Sequence, residues 1–130
     1  MLHYLLSLPL LLIPFTLYHI FYALFGFTLD HKFVWILTGG DALVALSIIL
    51  LYVEIFKSTR TGQASILDHL LSLTLFMVAF AEMMLWEKAY TSQFFLIMMT
   101  MLVDVIGGFT VTIRGARRDF GGRDDANHIL

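Results

Sequence analysis

Asp41, Glu82 and Asp104 stand inside apolar stretches of this chain, and no Lys or Arg accompanies them there. A charged group at the centre of a bilayer costs ~3 kcal/mol on insertion scales, so an acid in that setting implies a partner or a task. The chemistry open to such a carboxyl is narrow. It can stay protonated and hydrogen-bond to Ser, Thr or Tyr, since burial favours the neutral form. It can pair with a basic residue of another membrane subunit, because buried charges need partners. It can hold a proton or cation in a small carrier or channel. Catalysis and metal chemistry are the remaining readings.

Helical spacing groups each acid with small and hydroxyl residues. Thr38, Asp41, Ala45 and Ile48 follow i, i+3, i+7, i+10; Ser72, Leu75, Ala79 and Glu82 do the same; Thr100, Asp104, Gly107 and Gly108 share a stripe. Membrane helices pack closely through such faces, with polar side chains bonded across them. All three acids are therefore expected to face protein, with Thr38 and Thr100 as supporting polar groups. Asp41 is expected about eight residues below the outer interface, or ~12 Å at the helical rise. Glu82 is expected within a turn of that interface and Asp104 near the midplane. Glu54, Asp68 and His69 fall at the inner interface, within reach of water, and Glu54 is spaced for an ion pair with Lys57.

Histidine and methionine give weaker signals. His19 falls in the outer half of the first apolar run and His69 at the inner end of the third, too far apart in depth to share one haem iron. His19 is read as hydrogen-bonded within the bundle, near Tyr18 and Tyr22. Met83, Met84, Met98, Met99 and Met101 lie at one level; thioethers suit Cu(I), but they also fill irregular gaps between helices. The chain has no Cys, and it lacks a Ser–His–Asp arrangement, a phosphate-binding glycine loop, an H-E-x-x-H and a CxxC. No metal centre, no cofactor and no enzymatic activity is expected.

The elements that must position these residues follow from composition. Of 130 residues, 59% are hydrophobic and 14% charged, with a mean hydropathy of +0.85, against roughly 25% charged in soluble domains. Four continuous apolar runs, 4–25, 34–55, 67–86 and 94–113, each have the ~20 residues that cross a bilayer. Continuous runs in lipid predict helices, since backbone groups must be paired within the segment. The apolar opening lacks a preceding basic residue and is read as a retained span, not a signal peptide. Pro14 is expected to kink it. Asp30 is a candidate cap for the second helix, Ser65 with Asp68 for the third, and Thr91 or Ser92 for the fourth.

Short connections predict an all-α, up-down-up-down bundle over residues 1–113, followed by a polar tail, 114–130. Lys57, Arg60, Arg114, Arg117, Arg118 and Arg123 belong to one side; Lys32 and Lys88 belong to the other. The positive-inside rule then predicts an N-in, C-in protein of a bacterial-type inner membrane, with Trp35, Trp86 and Tyr90 at the outer interface. Arg114, Arg117 and Arg118 set this topology, with anionic headgroups as an alternative contact. A net charge of −2 argues against a nucleic-acid partner. The lipid bilayer is the expected surrounding. Two functions fit: a small non-catalytic subunit docking on another membrane protein through small-residue and acidic faces, or a self-associating proton- or cation-coupled carrier with Asp104 as its midplane site.

Overall fold

Where a run of apolar residues starts or stops being a helix depends on a few local residues, and at three places these override hydropathy. The computed structural model describes residues 7–25, 32–34, 37–59 and 63–127. Among these lie four helices: α1 (Leu12–Phe25), α2 (Gly39–Lys57), α3 (Gln63–Leu85) and α4 (Ser92–Asn127). A 3₁₀ turn, Glu87–Ala89, separates α3 from α4. Two short strands, β1 (Lys32–Val34) and β2 (Leu37–Thr38), pair antiparallel before α2, with Lys32 opposite Thr38 and Val34 opposite Leu37. Tyr4, Asp30, Trp35 and Arg60, with the expectations attached to them, lie outside the described residues.

The first override is at Pro9 and Pro14. Residues 7–11 are not helical, and α1 begins at Leu12. Pro14 therefore sits in the first helical turn, where a missing N–H costs nothing, and it removes no ladder bond as the sequence had suggested. With 14 residues, α1 is about 21 Å long. Three helical segments are long and apolar enough to cross a membrane, Gly39–Lys57, Ser65–Leu85 and Ser92–Arg118, while α1 is a shorter apolar helix. That corrects the expectation of four full spans among the described residues.

The second override is at Thr38. Its side chain accepts the Asp41 N–H at 3.2 Å, and Asp41 Oδ2 accepts the Thr38 N–H at 2.9 Å, a complete capping box. With Gly39 and Gly40 weak helix formers, the chain before them is extended, and the helix starts five residues later than the 34–55 run predicts. The third is at the other end of the chain. No proline follows Pro14, so nothing forces α4 to stop where its apolar part does, and it continues as helix to Asn127. The capping roles expected for Ser65 and Asp68 are also corrected: α3 starts at Gln63, so both lie inside it. Thr91 does cap α4, accepting the Phe94 N–H at 3.2 Å.

Helix directions alternate. Leu8 and Leu10, just before α1, touch Lys57 and Glu54 at the end of α2, whereas Tyr18 in α1 reaches Lys88 and Thr91 beyond α3. The principal packing is of α2 and α3 on α4, which takes the middle, with α1 against α2 and α4. Chain neighbours are thus not all the main spatial neighbours. The core comprises Phe15 and Tyr18 of α1, Leu43 of α2, Leu75 and Ala79 of α3, and Phe94, Ile97, Met98 and Met101 of α4. Large apolar side chains also cover the outside, among them Ile48, Ile49, Tyr52 and Phe56 of α2 and Leu96, Val103 and Ile106 of α4. Aqueous proteins rarely show so continuous an apolar exterior.

Candidate functional site

Position i+3 on α2 brings the Lys57 ammonium over Glu54, and the start of α3 brings Asp68 to the same point. Lys57 Nζ lies 3.2 Å from both Glu54 carboxylate oxygens and 3.1 Å from Asp68 Oδ1. The same ammonium donates to the Leu8 carbonyl at 2.9 Å, and the Leu10 N–H donates to Glu54 Oε1 at 3.3 Å. Non-helical backbone shut off from water needs such partners, and this side-chain group supplies them to Leu8 and Leu10. Asp104 stands on α4, near enough to Ser72, Glu54, Asp68 and Lys57 to interact with them electrostatically. Glu54, Asp68 and Asp104 are 1%, 5% and 4% exposed.

Two carboxyls thus flank one ammonium in a region shut off from solvent, and a third, Asp104, is buried on the neighbouring α4. With all of them ionised, two negative charges would be uncompensated, which a low-dielectric interior penalises by several kcal/mol per ion. Protons or a cation can remove that excess. Lys57 already occupies the point between Glu54 and Asp68. Among the described residues, no three His, Asp or Glu side chains converge as a metal-ligand set.

Next to the cluster, His69 Nε2 is 2.7 Å from Thr112 Oγ1 and 3.3 Å from Ser65 Oγ, with its ring against Phe109. Glu54, Asp68 and His69 were expected at a wet interface; all three are buried and bonded within the protein. The i, i+3 spacing of Glu54 and Lys57 was legible. Its burial was not, because burial depends on the unwound segment and on α3.

The three acids singled out by sequence separate. Asp104 and Glu82 turn inward with the faces Thr100–Asp104–Gly108 and Ser72–Leu75–Ala79. Thr100 bonds its own helix, donating to Ile97 O at 2.6 Å. Asp41 does not belong to an inward seam: it is the capping acid of α2, and Ala45 and Ile48 on its stripe face outward. The inward stripe of α2 is Gly40, Leu43, Ser47 and Glu54. Glu82 sits at the far end of α3, with Oε2 3.0 Å from His19 Nε2. The acids therefore do have partners inside the chain. Tyr18 keeps its ring edge-on to His19, with centroids 5.8 Å apart, while its hydroxyl bonds Lys88 O and Thr91 Oγ1.

His19 and His69 lie on different helices at opposite ends of the bundle, Glu82 and His69 being thirteen positions apart on α3, about 20 Å. Met98 and Met101 are buried in the core and Met84 is exposed, so the methionines do not share one site. Arg114, Arg117 and Arg118 are exposed on the extension of α4. No family model, curated protein sequence or solved structure matches the chain.

Proposed function

We propose that this chain is a membrane-embedded proton- or cation-coupled carrier, with Glu54, Lys57, Asp68 and Asp104 as its central site. One observation carries the reading: a buried group of charges engages an unwound backbone segment next to a helix, Lys57 through the Leu8 carbonyl and Glu54 through the Leu10 N–H. Carrier sites tend to be built this way, from interrupted helices whose freed backbone groups and nearby side chains bind the coupling ion. A proton suits the cluster better than a metal, because the Lys57 ammonium fills the point between two of its carboxylates.

The alternative, a non-catalytic docking subunit, draws less support. Its acidic and small-residue faces are largely used within the chain: Ala79 is buried in the core, Gly108 meets His69, and Glu82 meets His19. In the proposed orientation, Lys57 and the arginines of α4 lie on the cytoplasmic side of an inner-type membrane, as the positive-inside rule favours. The carboxyl cluster then occupies the inner half and Glu82 the outer.

The test is ion flux into liposomes that contain the purified chain and a pH-sensitive dye, challenged with pH steps and with sodium or potassium gradients. The expected result is flux above that of protein-free vesicles, lost in Asp104→Asn and Glu54→Gln while the proteins still fold. Flux equal to that of empty vesicles under every gradient overturns the reading.

A further inference from the structure

We infer that His19 and Glu82 form a second proton-binding site, in which one proton is held between His19 Nε2 and Glu82 Oε2. The tautomer follows from the other ring nitrogen. His19 Nδ1 is 2.8 Å from the Phe15 carbonyl oxygen, which can only accept, so Nδ1 carries a hydrogen. A neutral imidazole in that state has a bare lone pair on Nε2. An ionised Glu82 is acceptor-only. Two acceptors would then face each other at 3.0 Å.

Both atoms are shielded from solvent and find no other hydrogen-bond partner among the described residues. The contact has the distance of an ion pair without counting as a hydrogen bond. One proton turns the repulsion into either an imidazolium–carboxylate pair or a carboxyl O–H donated to Nε2.

The surroundings suit a cation on the ring. Trp86 stacks on His19 with ring centroids 5.5 Å apart and planes 8° apart, and an aromatic face favours positive charge. Among the described residues, the rings packed on His19 bring no second carboxylate to the pair. Tyr18 faces His19 from α1, α4 presents the Phe94 ring, and Tyr22 packs on Trp86. Lys88, in the 3₁₀ turn, lies over the Tyr22 ring at 5.4 Å. The acid at the start of α2, Asp41, is bonded to Thr38.

Glu82 and Asp68 are fourteen positions apart on α3, or about 21 Å. On the carrier reading, on which this role rests, the pair loads protons at the end opposite the carboxyl cluster. Binding of the shared proton stands without it.

The test is infrared difference spectroscopy of the full chain in lipid bilayers, stepped between acid and neutral pH. Wild type, His19→Gln, Glu82→Gln and the double variant are compared, each checked for native helix content by circular dichroism. A shared proton requires that both single variants remove the same protonation-linked band and that the double variant removes no more. Separate bands that vanish one by one and sum in the double variant overturn the proposal.

A measurement on wild type stands even where a variant misfolds. Labelling histidine with ¹⁵N and tyrosine carbonyls with ¹³C identifies His19 through the Tyr18–His19 dipeptide, the one Tyr-His pair in the sequence. The expected nitrogen spectrum has Nδ1 protonated at every pH, and a bare Nδ1 overturns the proposal. Neither readout needs ion flux, so a shared proton in a chain that moves no ions would sink the carrier reading alone.

Discussion

Gly108 and His69 pack so closely that a Cβ on Gly108 would lie 2.7 Å from the imidazole ring. The ring is held from its other side by Thr112 and Ser65, so it has little freedom to withdraw. Gly108→Ala is expected to push His69 off Thr112 and destabilise the bundle by ~1–3 kcal/mol, the usual cost of overpacking. Gly107→Ala is the control, since its Cβ would meet Ile55 at an ordinary 3.7 Å. Thermal unfolding in detergent should therefore separate two adjacent glycines, with the melting temperature falling only for Gly108→Ala.

Lys57→Met removes the one cation bonded to Glu54 and Asp68 among the described residues. Breaking a buried pair from one side leaves the other charge uncompensated, at a cost of ~3–5 kcal/mol. The variant should unfold at markedly lower temperature, and adding Glu54→Gln and Asp68→Asn should restore much of the loss. No restoration would mean that the methylene stem of Lys57, not its charge, holds residues 7–11.

Thr38 and Asp41 make a cap, not part of an ion path. Thr38→Ala should cost ~1 kcal/mol of stability, as loss of a helix N-cap does. Asp41→Asn should leave liposome flux at the wild-type level, while Asp104→Asn abolishes it. Equal loss in the two Asn variants would return Asp41 to the site.

Tyr18 ties the middle of α1 to the turn that opens α4, through Lys88 O at 3.2 Å and Thr91 Oγ1 at 2.8 Å. Tyr18→Phe keeps the ring packed on Phe94 and removes the hydroxyl, at ~1 kcal/mol per hydrogen bond. Hydrogen exchange should report the change as faster opening of residues 87–92 while the centre of α3 keeps its protection.

A chain with no cysteine allows its orientation to be read from single introduced thiols. Thr59→Cys and Ala116→Cys, both at exposed positions, should react with impermeant maleimide only from the cytoplasmic side. Lys88→Cys, also exposed, should react only from the other. Labelling of positions 59 and 88 from the same side would contradict a membrane-crossing α3.

The helical class and the three long apolar helices were written in composition and run length, because lipid leaves a backbone few other ways to pair its groups. The burial of Asp104 has a counterpart in the sequence, since it shares a stripe with small residues of the kind close packing selects. Local chemistry was only partly legible. Thr38 and Asp41 have the spacing of a capping box, yet inside an apolar run the acid read as a buried charge. Pro9 and Pro14 marked a break, but not that Leu12 would be the first helical residue.

What tertiary structure alone decided is which polar groups meet. Glu54 and Lys57 are neighbours in any helix, but burial of their pair requires α3 to bring Asp68 and the unwound residues before α1 to close over them. His19 and Glu82 are 63 positions apart in the sequence, and no periodicity within either helix relates them. Spacing reports which residues share a face of one helix; only the packing of the helices around α4 determines which faces touch. The residue pairs that give this chain its chemistry arise at those contacts between helices.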